Sequence, residues 1–107
     1  MNVDNEKSQM RKGMLEYCIL LLLRKEQAYA SDIIKKLKDV HLIVVEGTLY
    51  PLLTRMKNDG QLSYEWIEST QGPPRKYYQL TDKGLSVLAE LEVSWKELSD
   101  TVEQLSN

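Results

Sequence analysis

The chain has 107 residues, 42% hydrophobic and 28% charged, a composition typical of one soluble globular domain. Its net charge of −2 argues weakly against a nucleic-acid partner. The charge is uneven, however, because residues 1–80 hold 12 Lys/Arg against 10 Asp/Glu (net +2) and residues 81–107 hold 2 against 6 (net −4). The first three quarters of the chain can therefore present a basic face. A lone cysteine and a lone histidine argue against a disulfide framework and a metal-sensing site.

The sequence indicates neither a secreted protein, nor a membrane protein, nor an enzyme. The polar start MNVDNEKSQ does not resemble a signal peptide. The apolar run at residues 15–23 is much shorter than the roughly 20 residues of a membrane span. No nucleophile elbow, phosphate-binding loop or Cys/His cluster occurs. We therefore expect a cytoplasmic protein without metal or cofactor, in which Cys18 is a small buried hydrophobe.

Two helices are predicted at the start of the chain. Residues 1–9 are expected to form a flexible tail, followed by a helix over residues 10–25 that is apolar on most sides from residue 15 onward. The segment YASDIIKKLKDV predicts a second helix, capped by Ala30 or Ser31, with its lysines mostly outside. A short extended piece is expected at residues 42–45.

The segment EGTLYPLLTRMKNDG, residues 46–60, predicts a third helix although it contains Pro51. Leu49, Leu53 and Met56 belong to one apolar stripe, and Gly60 ends the helix. Proline breaks helix interiors because it lacks an N–H group. An N-cap at Thr48 would place Pro51 in the first turn, where that N–H has no partner within the helix; a start at Gly47 would lose one terminal bond.

The remainder of the chain predicts a β-hairpin and a long helix. Residues 62–68 and 75–80 are rich in aromatic and β-branched residues, and the turn cluster STQGPP between them predicts a six-residue tip. Thr81 is the expected cap of the last helix.

Three helices followed by a hairpin are the plan of a winged helix-turn-helix, which is mainly α with a small hairpin. This fold places its third helix in the DNA major groove. Residues 10–80 would form this domain, and residues 81–107 a C-terminal dimerisation helix.

A DNA-binding face is predicted on the third helix, opposite its apolar stripe. This face offers hydroxyl, phenol, guanidinium and amide groups, which contact phosphates and base edges. Basic residues next to the hairpin tip and on the second helix suit a phosphate-lined surface. The predicted DNA contacts are Lys35, Thr48, Tyr50, Thr54, Arg55, Lys57, Arg75 and Lys76. An ordinary solvated helix face is the alternative, and because some winged helices bind proteins, a protein-interaction module that never touches DNA is the rival function.

The last helix carries an apolar seam with heptad spacing. Its members are Leu88, Leu91, Trp95, Leu98, Val102 and Leu105, spaced 3, 4, 3, 4 and 3 residues apart. The stripe could pack on its own domain, but only residues near its start can reach back to that domain. A second copy of the chain is therefore the expected partner, which predicts a two-fold symmetric dimer on a palindromic operator.

The segments EGTLYPLLTRMKNDGQL (46–62) and GPPRKYYQLTDKG (72–84) resemble the PadR-type transcriptional regulators, and the resemblance runs from about residue 14 to the C-terminus. It implies a dimeric bacterial DNA-binding regulator, most often a repressor. The chain departs from the family where a Gly-Tyr pair tends to open the second helix, since Ala30 and Ser31 stand there. Ser31 is left as a weak substitute for a DNA-contacting tyrosine.

An effector site is implied for Trp95. Small PadR-like regulators with a tryptophan at this place bind planar hydrophobic compounds at the dimer centre, and a gap between paired Trp95 rings could accept a flat aromatic molecule by stacking. Glu92 and Ser99 flank Trp95 by one turn either way, and Met10 or Met14 is expected to line the wall. The alternative is that Trp95 is a packing residue only.

Overall fold

Helices make up most of the fold, and they pack against one end of a small antiparallel sheet whose other end is exposed. The computed structural model describes residues 3–107. Its elements are α1 Asp4–Lys25, β1 Ala28–Tyr29, α2 Ala30–Asp39, α3 Glu46–Asn58, β2 Leu62–Ser69, β3 Gly72–Leu80 and α4 Asp82–Ser106. The strands lie in the order β1-β3-β2. The predicted winged helix-turn-helix with a long C-terminal helix is confirmed.

The core lies where α1, α2, α3, the sheet and the start of α4 meet. Its seven largest fully buried side chains are Ile19, Leu20, Ile33, Leu49, Leu53, Met56 and Leu88. Fully burying a side chain of this kind stabilises the fold by about 1.5–3 kcal/mol. The three from α3 belong to the apolar stripe predicted from the sequence, so α3 is held on one side by the core and free on the other.

The first helix is longer than predicted. It begins at Asp4, whereas the sequence placed its start at residue 10. Asp4 and Glu6 in the first turn, with Arg24 and Lys25 in the last, complement the helix dipole. Residues 4–9, expected to be a tail, are therefore helical, and residues 1 and 2 of that tail lie outside the described residues.

The second helix and the segment after it differ from expectation in two ways. The N-cap is Tyr29, not Ala30 or Ser31, and the Tyr29 backbone N–H donates to the Asp32 carboxylate at 3.2 Å. Residues 42–45 form no strand, although their side chains alternate between buried and exposed. The third strand of the sheet is instead β1, whose two residues pair with Tyr78 and Tyr77 of β3. Two residues are too few to show a strand pattern in the sequence.

The predicted position of Pro51 within the third helix is wrong. The N-cap of α3 is Val45, so the helix starts at Glu46 and Pro51 is its sixth residue, not its third. In an α-helix the N–H at this position would bond the carbonyl of Gly47. Gly47 and Pro51 are both exposed, so solvent can satisfy that carbonyl. The helix tolerates the proline because the lost bond faces water.

The hairpin, called the wing below, has a shorter tip than predicted. Pairing continues to Ser69 opposite Gly72, which leaves Thr70 and Gln71 as the turn in place of the expected residues 69–74. Pro73 and Pro74 therefore lie inside β3. Their missing N–H groups point to opposite edges of β3. On one edge β1 pairs only with residues 77 and 78, and on the other the β2–β3 register shifts between the Ile67–Arg75 and Ser69–Gly72 pairs, so neither proline interrupts a regular ladder.

The last helix starts as predicted. The Thr81 hydroxyl oxygen accepts from the Gly84 backbone N–H at 3.0 Å, and the hydroxyl donates to the Gly60 carbonyl at 2.5 Å. Thr81 thus caps α4 and ties it to the end of α3. Gly84 lies so close to the backbone that a Cβ there would be 2.2 Å from the Gln61 carbonyl oxygen. Among residues 3–107, none of the helices combines the length and apolarity needed to cross a bilayer.

Candidate nucleic-acid interface

The outer face of α3 is a polar surface on a firmly anchored helix. Leu49, Leu53 and Met56 are fully buried on the inner side. All five residues of α3 predicted to contact DNA are exposed, namely Thr48, Tyr50, Thr54, Arg55 and Lys57. Because the core already fixes the backbone of α3, docking of this helix into a groove would cost ordering of its exposed side chains but not of its backbone.

The second helix adds two exposed residues to this surface. Ser31 and Lys35 are four residues apart and therefore share one face of α2. The Ser31 hydroxyl is open to solvent because Tyr29 and Asp32, not Ser31, form the helix cap. Both residues predicted on α2 are thus available to a ligand.

Arg55 has a partner that the sequence did not reveal. Its guanidinium donates to the Glu16 carboxylate of α1 at 2.8 Å, and the side chains are 59% and 30% exposed, respectively. Surface pairs of this kind contribute about 0–1 kcal/mol. Arg55 therefore lies on the side of α3 that faces α1, and its charge is locally balanced.

The two basic residues of the wing lie on opposite faces of β3. The Arg75 guanidinium stacks on the Tyr29 ring, 3.9 Å from its centroid. Lys76 Nζ lies 4.6 Å from the Tyr64 ring centroid and 5.4 Å from that of Trp66. Neighbouring strand residues point to opposite faces, so the sequence neighbours Arg75 and Lys76 do not form one patch.

Lys76 shares its aromatic surface with α3. Lys57 Nζ lies 5.8 Å from the same Tyr64 ring, and Tyr64 packs edge-on against Trp66 at 5.8 Å between centroids. Cations over aromatic rings hold their position, at about 0.5–1 kcal/mol when exposed. The structure therefore brings Lys57 and Lys76 together, and the Tyr64 and Trp66 rings beneath them were not predicted as part of the site.

A cleft lies on the other side of α3, between its first turn and α1. It has a volume of about 160 Å³, and Ser8, Arg11, Lys12 and Thr48 contribute polar groups to it. Ser8, Arg11 and Lys12 were not predicted as site residues. Residues 1–9 were expected to be a tail, and the sequence does not show which way the helix face of residues 11 and 12 points. The helical spacing of α1 brings them to Thr48.

The residues predicted for an effector site are divided between two places. Met10 and Met14 line an apolar groove of about 700 Å³ between α1, α2 and residues 40–42. Trp95, Glu92 and Ser99 are on α4 and do not line this groove. Glu92 accepts from Arg24 at 2.5 Å. Within one chain, therefore, Met10 and Met14 do not wall a site at Trp95.

Cys18 also lines this groove and is half-buried, so it is less enclosed than predicted. Burial raises the pKa of the Cys18 thiol, which keeps it protonated and unreactive near neutral pH. The described part of the chain holds no group of three His, Cys, Asp or Glu side chains placed to bind a metal ion.

The α4 seam divides into a buried and an exposed part. Leu88 is 1% exposed and Leu91 packs against the core, so two seam residues bind their own domain. Trp95, Leu98, Val102 and Leu105 are 46%, 58%, 61% and 81% exposed. The domain thus reaches one turn further along α4 than expected, and four apolar side chains remain uncovered.

Known proteins resemble this chain in sequence and in fold. Residues 19–90 match the model of the transcriptional regulator PadR-like family. A PadR-like transcription factor from Bacteroides fragilis, solved by X-ray crystallography, is 77% identical, with 95% of this chain and 99% of that chain covered and a TM-score of 0.81. A PadR family transcriptional regulator from Eggerthella lenta is 40% identical, with coverages of 96% and 90% and a TM-score of 0.89.

One similar structure contains nucleic acid. Bacillus subtilis PadR, solved in complex with operator DNA, is 26% identical to this chain and has a TM-score of 0.69. The match covers 75% of this chain and 46% of that one.

Proposed function

Since this chain belongs to the transcriptional regulator PadR-like family, we propose that it is a homodimeric repressor that binds a palindromic operator in the bacterial cytoplasm. Members of this family are non-enzymatic DNA-binding regulators. The observation that carries the proposal is the two-sided character of α3, which is fully buried at Leu49, Leu53 and Met56 and polar on its exposed face. The related PadR in complex with operator DNA supports the same ligand.

In the proposed complex, α3 lies in the major groove and the wing lies on the sugar–phosphate backbone. Tyr50 and Thr54 are one turn apart on the exposed face of α3 and would reach base edges, with Thr48 at the helix start. Lys57 and Lys76 would bind phosphates together, since both lie beside Tyr64. Ser31 and Lys35 of α2 would contact the backbone that crosses the groove.

Arg55 and Arg75 both have a partner within the chain before DNA binds: Arg55 contacts Glu16, and Arg75 stacks on Tyr29. Arg55 exchanges the Glu16 carboxylate for a phosphate, which is feasible because the ion pair is exposed and weak. Arg75 is stacked on Tyr29, so its guanidinium is already ordered before DNA arrives. A planar guanidinium held on a ring keeps its edge free for a phosphate.

The dimer forms through α4. Trp95, Leu98, Val102 and Leu105 are exposed on one face of a helix that continues beyond the domain. A contiguous apolar stripe of this kind marks an interaction surface, and a short chain gains stability by sharing it. Two copies related by a two-fold axis would present their α3 helices to half-sites about 34 Å apart.

The effector is proposed to be a planar aromatic molecule between the two Trp95 rings of the dimer. Trp95 is 46% exposed and lies near the middle of the seam, so two copies would meet at the axis. Ser99, one turn on, is exposed and can hydrogen-bond such a ligand, whereas Glu92 is already engaged by Arg24. A ligand changes DNA affinity only if it binds the two shapes of the dimer with different affinity.

The test is binding to the DNA upstream of the protein's own gene, compared with a mixed-sequence duplex, at two salt concentrations. We expect tighter binding to the upstream DNA and weaker binding to both duplexes at high salt, because phosphate contacts release counterions. Tyr50→Ala with Thr54→Ala should lose the preference for the upstream DNA while keeping the melting temperature, since both side chains are exposed. Wild-type protein that binds neither duplex would favour a winged-helix protein-interaction module.

A further inference from the structure

The two sides of α3 have different neighbours. Lys57 points toward Tyr64 of the wing, whereas Arg55 contacts Glu16 of α1. Two residues advance a helix by about 200°, so these contacts lie on nearly opposite sides. Thr48 is seven residues before Arg55 and therefore shares the α1 side. The wing thus lies beside one flank of α3, and α1 lies beside the other.

The α1 flank changes charge along its length. At the end near Arg55, the Glu16 carboxylate and the guanidinium balance one another. Near Thr48, at the start of α3, the cleft is lined by Arg11 and Lys12. Both are exposed, and neither forms an ion pair within residues 3–107. The acids Asp4 and Glu6 lie further toward the N-terminus of α1, and Glu46 projects from the opposite side of the first turn of α3.

We infer that Arg11 and Lys12 bind backbone phosphates of the DNA on the α1 side of the major groove. The inference rests on the proposed function, because it requires α3 to lie in that groove. A major groove is bordered by a phosphate chain on each side, so a helix inside it needs cations on both flanks. Lys57 and Lys76 supply them on the wing side, and Arg11 and Lys12 supply them on the α1 side. Their contacts carry no sequence information, since phosphates are common to all sequences.

The cleft itself suits an anionic oxygen. Ser8 of α1 and Thr48 of α3 both line it, and residues 15 and 42–45 line the rest of it. A phosphate at its mouth would meet hydroxyl donors, a guanidinium and an ammonium, which are the groups that proteins use for the DNA backbone. The first turn of α3 adds the positive end of its helix dipole, although the Thr48 N–H donates to the Val45 carbonyl at 3.0 Å.

The test compares the double variant Arg11→Gln/Lys12→Gln with a control double variant, Lys25→Gln/Lys96→Gln, that removes one exposed charge at the end of α1 and one on α4. Each protein is titrated with a mixed-sequence duplex of about 30 base pairs and with the DNA upstream of its own gene over a range of salt concentrations. The slope of log K against log salt falls by about one for each lost phosphate contact. Because two chains bind each duplex in the proposed complex, we expect a decrease of about four for the double variant on both duplexes, about two for Lys12→Gln alone, and none for the control.

Each result has one meaning. Equal slopes for the double variant and the control, with wild-type binding intact, would overturn the inference and leave the proposed function standing. No binding by the wild type to either duplex would overturn both. Lys12→Gln separates DNA contact from effects on the apolar groove, because Arg11 lines both the groove and the cleft whereas Lys12 lines the cleft alone. Melting temperatures and sedimentation of all variants should match the wild type.

Discussion

The two halves of α4 carry the same apolar spacing but have different surroundings. Leu88, in the first half, is 1% exposed and belongs to the core, whereas Leu98, ten residues later, is 58% exposed. Helical periodicity defines which face of a helix is apolar, but it does not say whether that face packs on its own domain. The first half of α4 completes the domain, and the second half leaves its apolar face exposed, which is the face that we propose joins two copies.

Charge follows the same division. The exposed half of α4 is acidic, with Glu97, Asp100 and Glu103 on it. The last turn of α4 holds no basic residue. The domain carries the cations instead, on α1, α2, α3 and the wing. Most of the positive charge of the molecule thus lies on the domain, on the elements that we propose contact DNA, and the exposed half of α4 is acidic and apolar.

An aspartate placed in each half of α4 should have very different effects on the two halves. Leu88→Asp buries an unpaired charge in the core and should unfold the domain. Leu98→Asp should leave the helix content unchanged and produce a folded monomer, because only the seam is affected. Circular dichroism and sedimentation at micromolar concentration measure both outcomes. A folded Leu88→Asp protein, or a Leu98→Asp protein that sediments like the wild type, would contradict the division.

A substitution at Gly84 tests whether the start of α4 belongs to the domain. A Cβ at Gly84 would lie 2.2 Å from the Gln61 carbonyl oxygen, so Gly84→Ala must displace α4. We expect a loss of about 3 kcal/mol in the free energy of unfolding, at the upper end for overpacking.

Gly13 provides the matched control. It is exposed in the interior of α1, and no atom lies within 4 Å of an added Cβ. Gly13→Ala should stabilise the fold by about 0.5–1 kcal/mol, because alanine favours the helix. Urea unfolding of both variants checks the pair, and equal stabilities would show that α4 does not depend on the close contact.

Much of the domain follows from local sequence patterns. The α3 stripe at Leu49, Leu53 and Met56 and the Thr81 cap were predicted because periodicity and capping act over a few residues. The start of α3 was missed because its N-cap, Val45, has no capping side chain. The Glu16–Arg55 pair spans 39 residues and depends on how two helices pack, which periodicity does not encode. The positions of Arg11 and Lys12 beside Thr48 were hidden for the same reason.

The wing offers a smaller test of the DNA surface. Lys76 lies with Lys57 beside Tyr64, whereas Arg75 lies on the opposite face of β3 against Tyr29. Lys76→Gln and Arg75→Gln should each lower the salt slope of DNA binding by about two if each contacts one phosphate per chain of the dimer. A reduction for Lys76→Gln alone would restrict the surface to the Lys57 face of the wing. No reduction for either variant would remove the wing from the interface.

The smallest expected effect concerns the effector. A planar aromatic dye should stack between the Trp95 rings of the dimer and quench tryptophan emission, and Trp95→Ala should abolish the quenching. Trp66 is an internal control because it lies on the wing. If a broad panel of cationic and neutral dyes leaves the emission unchanged, Trp95 is a packing residue only. Bound dye without any change in DNA affinity would leave a pocket without regulation.

Sedimentation equilibrium of the wild-type chain, alone and on the duplex upstream of its own gene, measures whether the exposed half of α4 joins two copies so that two α3 helices meet one operator. We predict a free species of twice the 12.4 kDa chain mass and two chains on each duplex. A folded species of 12.4 kDa that binds the duplex singly, or does not bind it, would contradict the account.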